Sequence, residues 1–533
     1  MERLTHEEIA LAGHWADIWA AKVVREKGEK PQYTCASGIT PSGTVHIGNF
    51  REIISVDLVV RGLRALGKKV RFIYSWDDYD VFRKVPKNMP NPELLHNYLR
   101  HSIDAVPDTT GGYASYAAYN EATVEKTLPL VGINPEYLYQ SKRYRSGLYA
   151  EQMKIALQKR ELIRAELDEY RKEPLETGWY PLSIFCENCQ KDTTNILSYD
   201  DDYGVEYNCE SCGHHTTLDL RKTGAAKLPW RVDWPMRWAY EGTDFEPAGK
   251  DHHSEGGSFS TAKKTVREIY NHEPPATFQY DFLRIKGGAG KISSSSGEVV
   301  DLGDCLTIYQ PEVVRFLFAG TRPNSEFAIS FDLDVLKIYE DYDKLERTYF
   351  DKPDKTDEKK YKKWLNAART YELSQVDAAP AVMPYQIPIR HLCNLLQIND
   401  GNIEVTLNGL PDVQVEQQER LVQRAKCAWN WISDHAPEDF RFKVRDDQPA
   451  LPLIADELTI VDQLKNLLPL MKQLDENSFA EKLYDLCKQL NIESGVIFTL
   501  CYKILLGKEK GPRLISFLYT LGYERVAKIL NFY

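Results

Sequence analysis

The sequence predicts a parallel α/β domain, interrupted by a small cysteine-paired insertion and followed by an all-α region. Three observations lead there. A strand, glycine turn, helix and second strand follow one another near the N-terminus. Two Cys-x-x-Cys pairs break that pattern in mid-chain, and β-rich runs become scarce beyond about residue 351. At 533 residues the chain has room for about three domains.

Composition bounds the function classes. With 43% hydrophobic and 27% charged residues, the chain is ordinary for a globular protein. No apolar run approaches the roughly 20 residues that span a bilayer. Met1-Glu2-Arg3-Leu4-Thr5 lacks the basic-then-apolar plan of a signal peptide. The expectation is a cytoplasmic protein with no membrane partner. A formal net charge of −11 argues against a broadly basic nucleic-acid coat, yet leaves room for a local basic face along a phosphate backbone. Of ten cysteines, Cys35, Cys305, Cys393, Cys427, Cys487 and Cys501 are scattered, as small buried apolar residues of a reducing compartment are.

The first element is a helix over residues 5–26, where Ile9, Ala10, Trp15, Ile18, Trp19 and Val23 are spaced for one buried face. Tyr33-Thr34-Cys35-Ala36-Ser37 reads as a strand that runs into a turn built on Gly38, Pro41 and Gly43. A helix follows from about Ile47 to Leu66, closed by Gly67. Lys69 to Trp76 is a second strand, ending in Asp77-Asp78. This order suggests parallel pairing through a right-handed crossover, with ligands beyond the carboxyl ends of the strands. The cysteine pairs interrupt the pattern between about residues 175 and 222, and it resumes at Leu228–Trp234 and Phe278–Ile285. Asp351 to Lys363 carries six lysines among acids, read as a solvated face; from there the chain is helical to its end.

Pro41-Ser42-Gly43-Thr44-Val45-His46-Ile47-Gly48-Asn49 opens the second helix. A helix N-terminus favours anions. His46 can supply a ring donor, Gly48 lets the backbone pass close to a phosphate, and Asn49 adds an amide. About 240 residues later, Lys286-Gly287-Gly288-Ala289-Gly290-Lys291-Ile292-Ser293-Ser294-Ser295-Ser296-Gly297 is a loop by composition. Lys291 can neutralise a leaving pyrophosphate, Ser293 can donate to phosphate oxygens, and such a loop can close over a nucleotide. Together the two segments suit attack of a carboxylate on the α-phosphate of ATP, where negative charge grows on the equatorial oxygens. Alone, each also fits a capped helix or a surface linker. Gly249-Lys250-Asp251 sets an acid just after a glycine, which suits ribose hydroxyls or a generic turn.

Cys186-x-x-Cys189 and Cys209-x-x-Cys212 are separated by 19 residues, a spacing that fits a zinc site. Four thiolates leave a tetrahedral zinc no open position, so this metal would be structural. Free thiols or a redox pair are the alternatives.

Taken together, the motifs resemble class I aminoacyl-tRNA synthetases, and within them the class I lysyl-tRNA synthetases. The resemblance rests on Ser37 to Glu52, on Lys227 to Trp238, on Gly249-Lys250-Asp251-His252, on the cysteine pairs and on Gly511-Pro512-Arg513. It spans the catalytic half and, more weakly, the C-terminal helices. It implies a Rossmann-type catalytic domain over 1–298, with the zinc-binding insertion at about 175–222. A stem-contact connector over 299–350 and a helical anticodon-binding domain over 351–533 complete the expected layout. It further implies activation of L-lysine with ATP and Mg2+, then transfer from lysyl-adenylate to the 2′-hydroxyl of the terminal adenosine of a lysine-accepting tRNA. By motif matching, His46, Asn49 and Lys291 are catalytic, and Gly48, Gly249, Asp251 and Ser293 bind ATP. Gly38, Thr40, Trp230, His252 and Tyr280 form the lysine pocket, with Cys186, Cys189, Cys209 and Cys212 on zinc. A monomer is expected. Asn49 stands where many relatives carry a second histidine, Ser294 replaces a lysine of the general loop motif, and Ser296 sits where a lysine is expected. Two other readings stay open: a glutamate-specific enzyme, which would need a buried arginine in the pocket, and a catalytically silent RNA-binding paralogue.

Overall fold

The computed structural model describes residues 3–87, 89–286, 299–411, 413–446 and 450–533. The chain forms two compact units. The first comprises Met1–Leu306, Pro311–Ile329 and Lys344–Val382; the second comprises Thr307–Gln310, Ser330–Asp343 and Met383–Tyr533.

The first unit opens with two helices where the apolar spacing predicts one. α1 (His6–Ala12) stops at Gly13, whose φ of 63° is left-handed, and α2 (Trp15–Lys27) restarts with His14 as its N-cap. A left-handed residue ends a helix whatever the pattern around it. β1 (Tyr33–Ile39), α3 (Ile47–Ala65) and β2 (Val70–Trp76) follow. β1 and β2 pair in parallel from Tyr33↔Val70 to Ile39↔Trp76, as expected. β3 (Glu136–Tyr139) adds beside β2. α3 buries Ile54, Val56, Leu58, Val59, Val60 and Leu63 completely, so its apolar surface is wider than a single stripe.

The cysteine-bearing insertion is all antiparallel. β4 (Ser183–Ile184) frames it; β5 (Thr194–Tyr199), β6 (Gly204–Cys209) and β7 (His215–Asp219) form its sheet; β8 (Ala226–Lys227) closes it against β4. The stretch from Leu228 then enters a helix, α4 (Trp230–Glu241), which ends at left-handed Gly242. β9 (Thr243–Phe245) pairs with β1 on the side away from β2, giving the parallel order β3-β2-β1-β9. β10 (Ala248–Gly249) pairs with β11 (Gln279–Tyr280), and β12 (Leu283–Ile285) with β13 (Phe327–Ile329). Phe278–Ile285 is thus two short strands. Arg51 of α3, 2% exposed, fixes the break between them: it donates to the carbonyls of Phe282 (2.9 Å), Pro323 (2.7 Å) and Ser325 (2.6 Å).

The described part of the second unit from Met383 onward contains helices and no named strand. Its core includes Val461, Leu464, Phe479, Leu483, Ile497 and Leu505. Trp364 and Trp431 are buried, as core aromatics, while Trp429 is half-buried. All six scattered cysteines are buried. Lys352 and Lys355 pair with Glu8, and Lys359, Lys360, Lys362 and Lys363 are exposed. No helix among the described residues is long and apolar enough to cross a membrane.

Candidate active site

The carboxyl ends of β1, β2, β10 and β11 meet at a cavity of about 770 Å³. Gly38, Thr40, His46, Gly48, Asn49, Trp230, Gly249, Asp251, His252 and Tyr280 all line it. These ten positions come from four separate stretches of sequence, and the fold brings them together. Lys291 and Ser293 lie outside the described residues.

His46 sits at the N-cap of α3. Its Nδ1 accepts from the Asn49 backbone N–H (3.3 Å), and the Asn49 side-chain oxygen accepts from the His46 N–H (3.2 Å). This reciprocal pair is a capping box built from histidine and asparagine. It commits Nδ1 and the amide oxygen to the helix, so a neutral His46 carries its proton on Nε2. The donor predicted at His46 is therefore Nε2, and the donor at Asn49 is its NH2 group. An alanine Cβ at Gly48 would lie 2.9 Å from the His46 ring, so glycine there makes room for the imidazole. Gly38 is equally constrained: a Cβ would lie 2.8 Å from the Ser75 carbonyl of β2.

The cavity lining is also acidic and aromatic. Glu52, one turn into α3 from Asn49, accepts from Ser37 Oγ (2.8 Å), from the Gly38 N–H (3.2 Å) and from the Tyr280 hydroxyl. Burial, and then the charge of Asp77, push its carboxyl above the usual range. Thr40 donates to Asp80 (3.0 Å), which also pairs with Lys227. Burial works against the Asp80 charge, but the Lys227 ammonium outweighs it and holds this carboxyl below its ordinary value. Arg237 is the buried arginine nearest the Trp230 ring, with Cζ 5.5 Å from its centroid. Two acids occupy it: Asp77 at 2.6 Å and Asp233 at 3.2 Å. Burial lowers the basicity of His252.

Glu52, Asp77, Asp80 and Lys227 were not singled out from the sequence. Glu52 stood inside the quoted motif, and Asp77 at the end of a predicted strand. Glu52 is placed by Tyr280, Asp77 by Arg237 and Asp80 by Lys227, each far away in sequence, so no local spacing marks them. The only local cue is an acid on the helix turn after a nucleotide motif.

Away from the cavity, the donor sulfurs of Cys186, Cys189, Cys209 and Cys212 lie within 4.8 Å of one another. Two of the S···S distances are 3.7 Å (Cys186–Cys212) and 3.5 Å (Cys189–Cys209). Four sulfurs this close, with no disulfide, suit a tetrahedral ion with metal–sulfur bonds of about 2.3 Å. Gly213, after the last cysteine, is left-handed with φ 72°, as a knuckle turn requires.

Comparison with known proteins adds an independent line. The family described as "tRNA synthetases class I (K)" matches residues 13–377. The chain is 53% identical over 524 residues to a lysine–tRNA ligase of Borreliella burgdorferi, covering 98% of this chain and 99% of that protein. A lysine–tRNA ligase of Treponema pallidum is 50% identical over 98% of each chain. One of Pyrococcus horikoshii is 38% identical over 97% of this chain and 99% of its own.

Proposed function

The chain belongs to the class I tRNA synthetases of the lysine (K) group, and from that premise we propose how its cavity joins L-lysine to tRNA. Its relatives are named for that ligation along nearly their whole length. The observation that carries the reading here is the polarity of the cavity. The α3 N-terminus presents His46, Gly48 and Asn49, and one turn further along the helix Glu52 accepts from Tyr280, with Trp230 also on the lining.

Lysine bound there sets its ammonium toward Glu52 and the aromatic faces, where charge and quadrupole both favour a cation. Its α-carboxylate then faces the nucleotide. ATP, accompanied by Mg2+, places its ribose near Gly249 and Asp251 and its α-phosphate at the helix terminus. A carboxylate oxygen forms a bond to the α-phosphorus as the bond to pyrophosphate breaks. His46 Nε2, the Asn49 amide and the α3 dipole meet the charge growing on the phosphate oxygens. Lys291 and Ser293 serve the departing pyrophosphate. The 2′-hydroxyl of the terminal adenosine of tRNA then attacks the lysyl carbonyl and releases AMP. The four cysteines would hold a structural zinc that keeps the insertion folded, and the helical region over 351–533 contacts the anticodon.

Arg237 bears on the glutamate alternative. A glutamate side chain needs an available cation, and this guanidinium is already matched by two acids. ATP–pyrophosphate exchange across the amino acids, with and without tRNA, tests the assignment. Exchange is expected with lysine only; exchange with glutamate, or none under either condition, contradicts it.

A further inference from the structure

Behind the wall formed by Trp230 and His252 lies a second, smaller cavity of about 60 Å³. A carboxylate that none of the motifs includes lines it. Glu246 follows β9, is 8% exposed, and has its backbone N–H bonded to the Ala276 carbonyl (3.1 Å). Each of its oxygens is taken by an indole: Trp234 Nε1 donates to Oε1 (3.1 Å) and Trp238 Nε1 to Oε2 (2.5 Å). Trp234 stacks on Trp230, with centroids 5.0 Å apart and planes inclined by 14°, and meets His252 edge-on at 5.7 Å. The acid therefore holds a tryptophan ladder whose outer rung is the wall of the main cavity.

Charge adds a second consequence. Glu52, Asp77, Arg237 and Glu246 share the smaller cavity. Arg237 is consumed by Asp77 and Asp233. The hydrogen bonds to Glu52 and Glu246 come from a serine, a backbone N–H, a tyrosine and two indoles, and neither acid forms an ion pair with a described residue. Two carboxylates in one dehydrated space repel each other. An ammonium brought to Glu52 relieves both; a neutral side chain relieves neither.

We propose that Glu246 is a specificity-determining positioning residue: through Trp234 it sets the Trp230 wall, and through the small cavity it adds a second negative charge behind Glu52 that selects an ammonium side chain. The inference rests on the lysine reading above. Burial, then the Glu52 charge, push the Glu246 carboxyl up to about 7. The titratable or charged groups that share its cavity are Glu52 of α3, Asp77 after β2, Arg237 of α4 and His252 after β10.

The test is steady-state tRNA charging by the full chain as wild type, Glu246→Gln, and Glu246→Gln with Trp238→Phe. A glutamine must turn its NH2 toward one of the two indole donors, and removing the Trp238 donor relieves that clash while the charge stays absent. Glu246→Gln is expected to raise KM for lysine about tenfold, as loss of one nearby charge in a partly dry site does, with KM for ATP unchanged. The double variant is expected to recover kcat and keep the raised lysine KM. In wild type, lysine KM should fall as pH rises from about 6 to 8, because Glu246 gains its charge there; the double variant should lose that component. A double variant with wild-type lysine KM, or an equal rise in KM for ATP, overturns the inference. Wild type failing to charge tRNA with lysine would end the lysine reading itself, whereas active wild type matched by Glu246→Gln would end only this one.

Discussion

His46 serves the helix with Nδ1, and on the proposed reading its Nε2 serves the nucleotide. That division depends on Gly48, because a methyl there would press on the ring at 2.9 Å. Gly48→Ala is expected to lower kcat by about 100-fold, the scale on which one misplaced donor to a developing oxyanion is felt, with lysine KM little changed. Pre-steady-state formation of lysyl-adenylate would show it; an unaltered rate would remove the ring from the reaction. Glu52 is the complementary case. Its carboxyl is raised by burial, so the protonated form grows as pH falls, and that form has no charge to offer an ammonium. Lysine binding is therefore expected to weaken as the solution is acidified, and Glu52→Gln to raise lysine KM by about 10- to 100-fold where Glu52 is ionised, with the difference from wild type shrinking as pH falls. Calorimetry with lysine across pH checks both. The local motif was legible in the sequence, since His46, Gly48 and Asn49 stand in one capped turn that lines the cavity. Glu52, Asp77 and Glu246 were not, because Tyr280, Arg237 and Trp238 define them and lie in other elements.

At the scale of elements, the placement of His46, Gly48 and Asn49 depends on how α3 is held. Arg51 anchors it to the Phe282 turn and to the chain before β13, so β11, β12 and the helix terminus form one framework. The strand–helix–strand order and its parallel register were legible, since glycine turns and apolar runs are local signals and crossover geometry restricts the rest. The break at Gly13 was not, because apolar spacing runs straight through a left-handed residue. The cysteine ribbon was the most legible element: four thiols at fixed spacing leave few ways to fold. Arg100 of the first unit meets it through an ion pair with Asp192 (2.7 Å) and a carbonyl that accepts from the Asp192 N–H (2.9 Å). Phe82, which lines the cavity, in turn donates its N–H to the His101 carbonyl (2.8 Å) and accepts from the Arg100 N–H (2.9 Å). Purified protein should carry close to one zinc per chain, and Cys189→Ser should lose it along with protease resistance between about residues 175 and 222. Folded, active protein free of metal would refute the zinc assignment.

For the whole molecule, the proposed function has the two signatures, separated by about 240 residues, act on one nucleotide. One of them, at His46, lines the cavity; Lys291 belongs to the other. If Lys291 meets charge that appears only as pyrophosphate leaves, Lys291→Ala should cut the activation rate far more than lysine affinity. Equal losses in single-turnover rate and in lysine binding would refute that role. On the proposed reading the choice of amino acid is also a property of the whole: acids on α3, after β2 and after β9 share one small cavity with Trp230, while the buried arginine there is already matched. The most direct measurement is a crystal structure with a non-hydrolysable lysyl-adenylate analogue. The ammonium is expected against Glu52, between Tyr280 and Trp230, with the phosphate mimic at His46 Nε2 and the ribose at Gly249 and Asp251. An analogue bound with its side chain turned away from Glu52, or outside this cavity, would contradict the account.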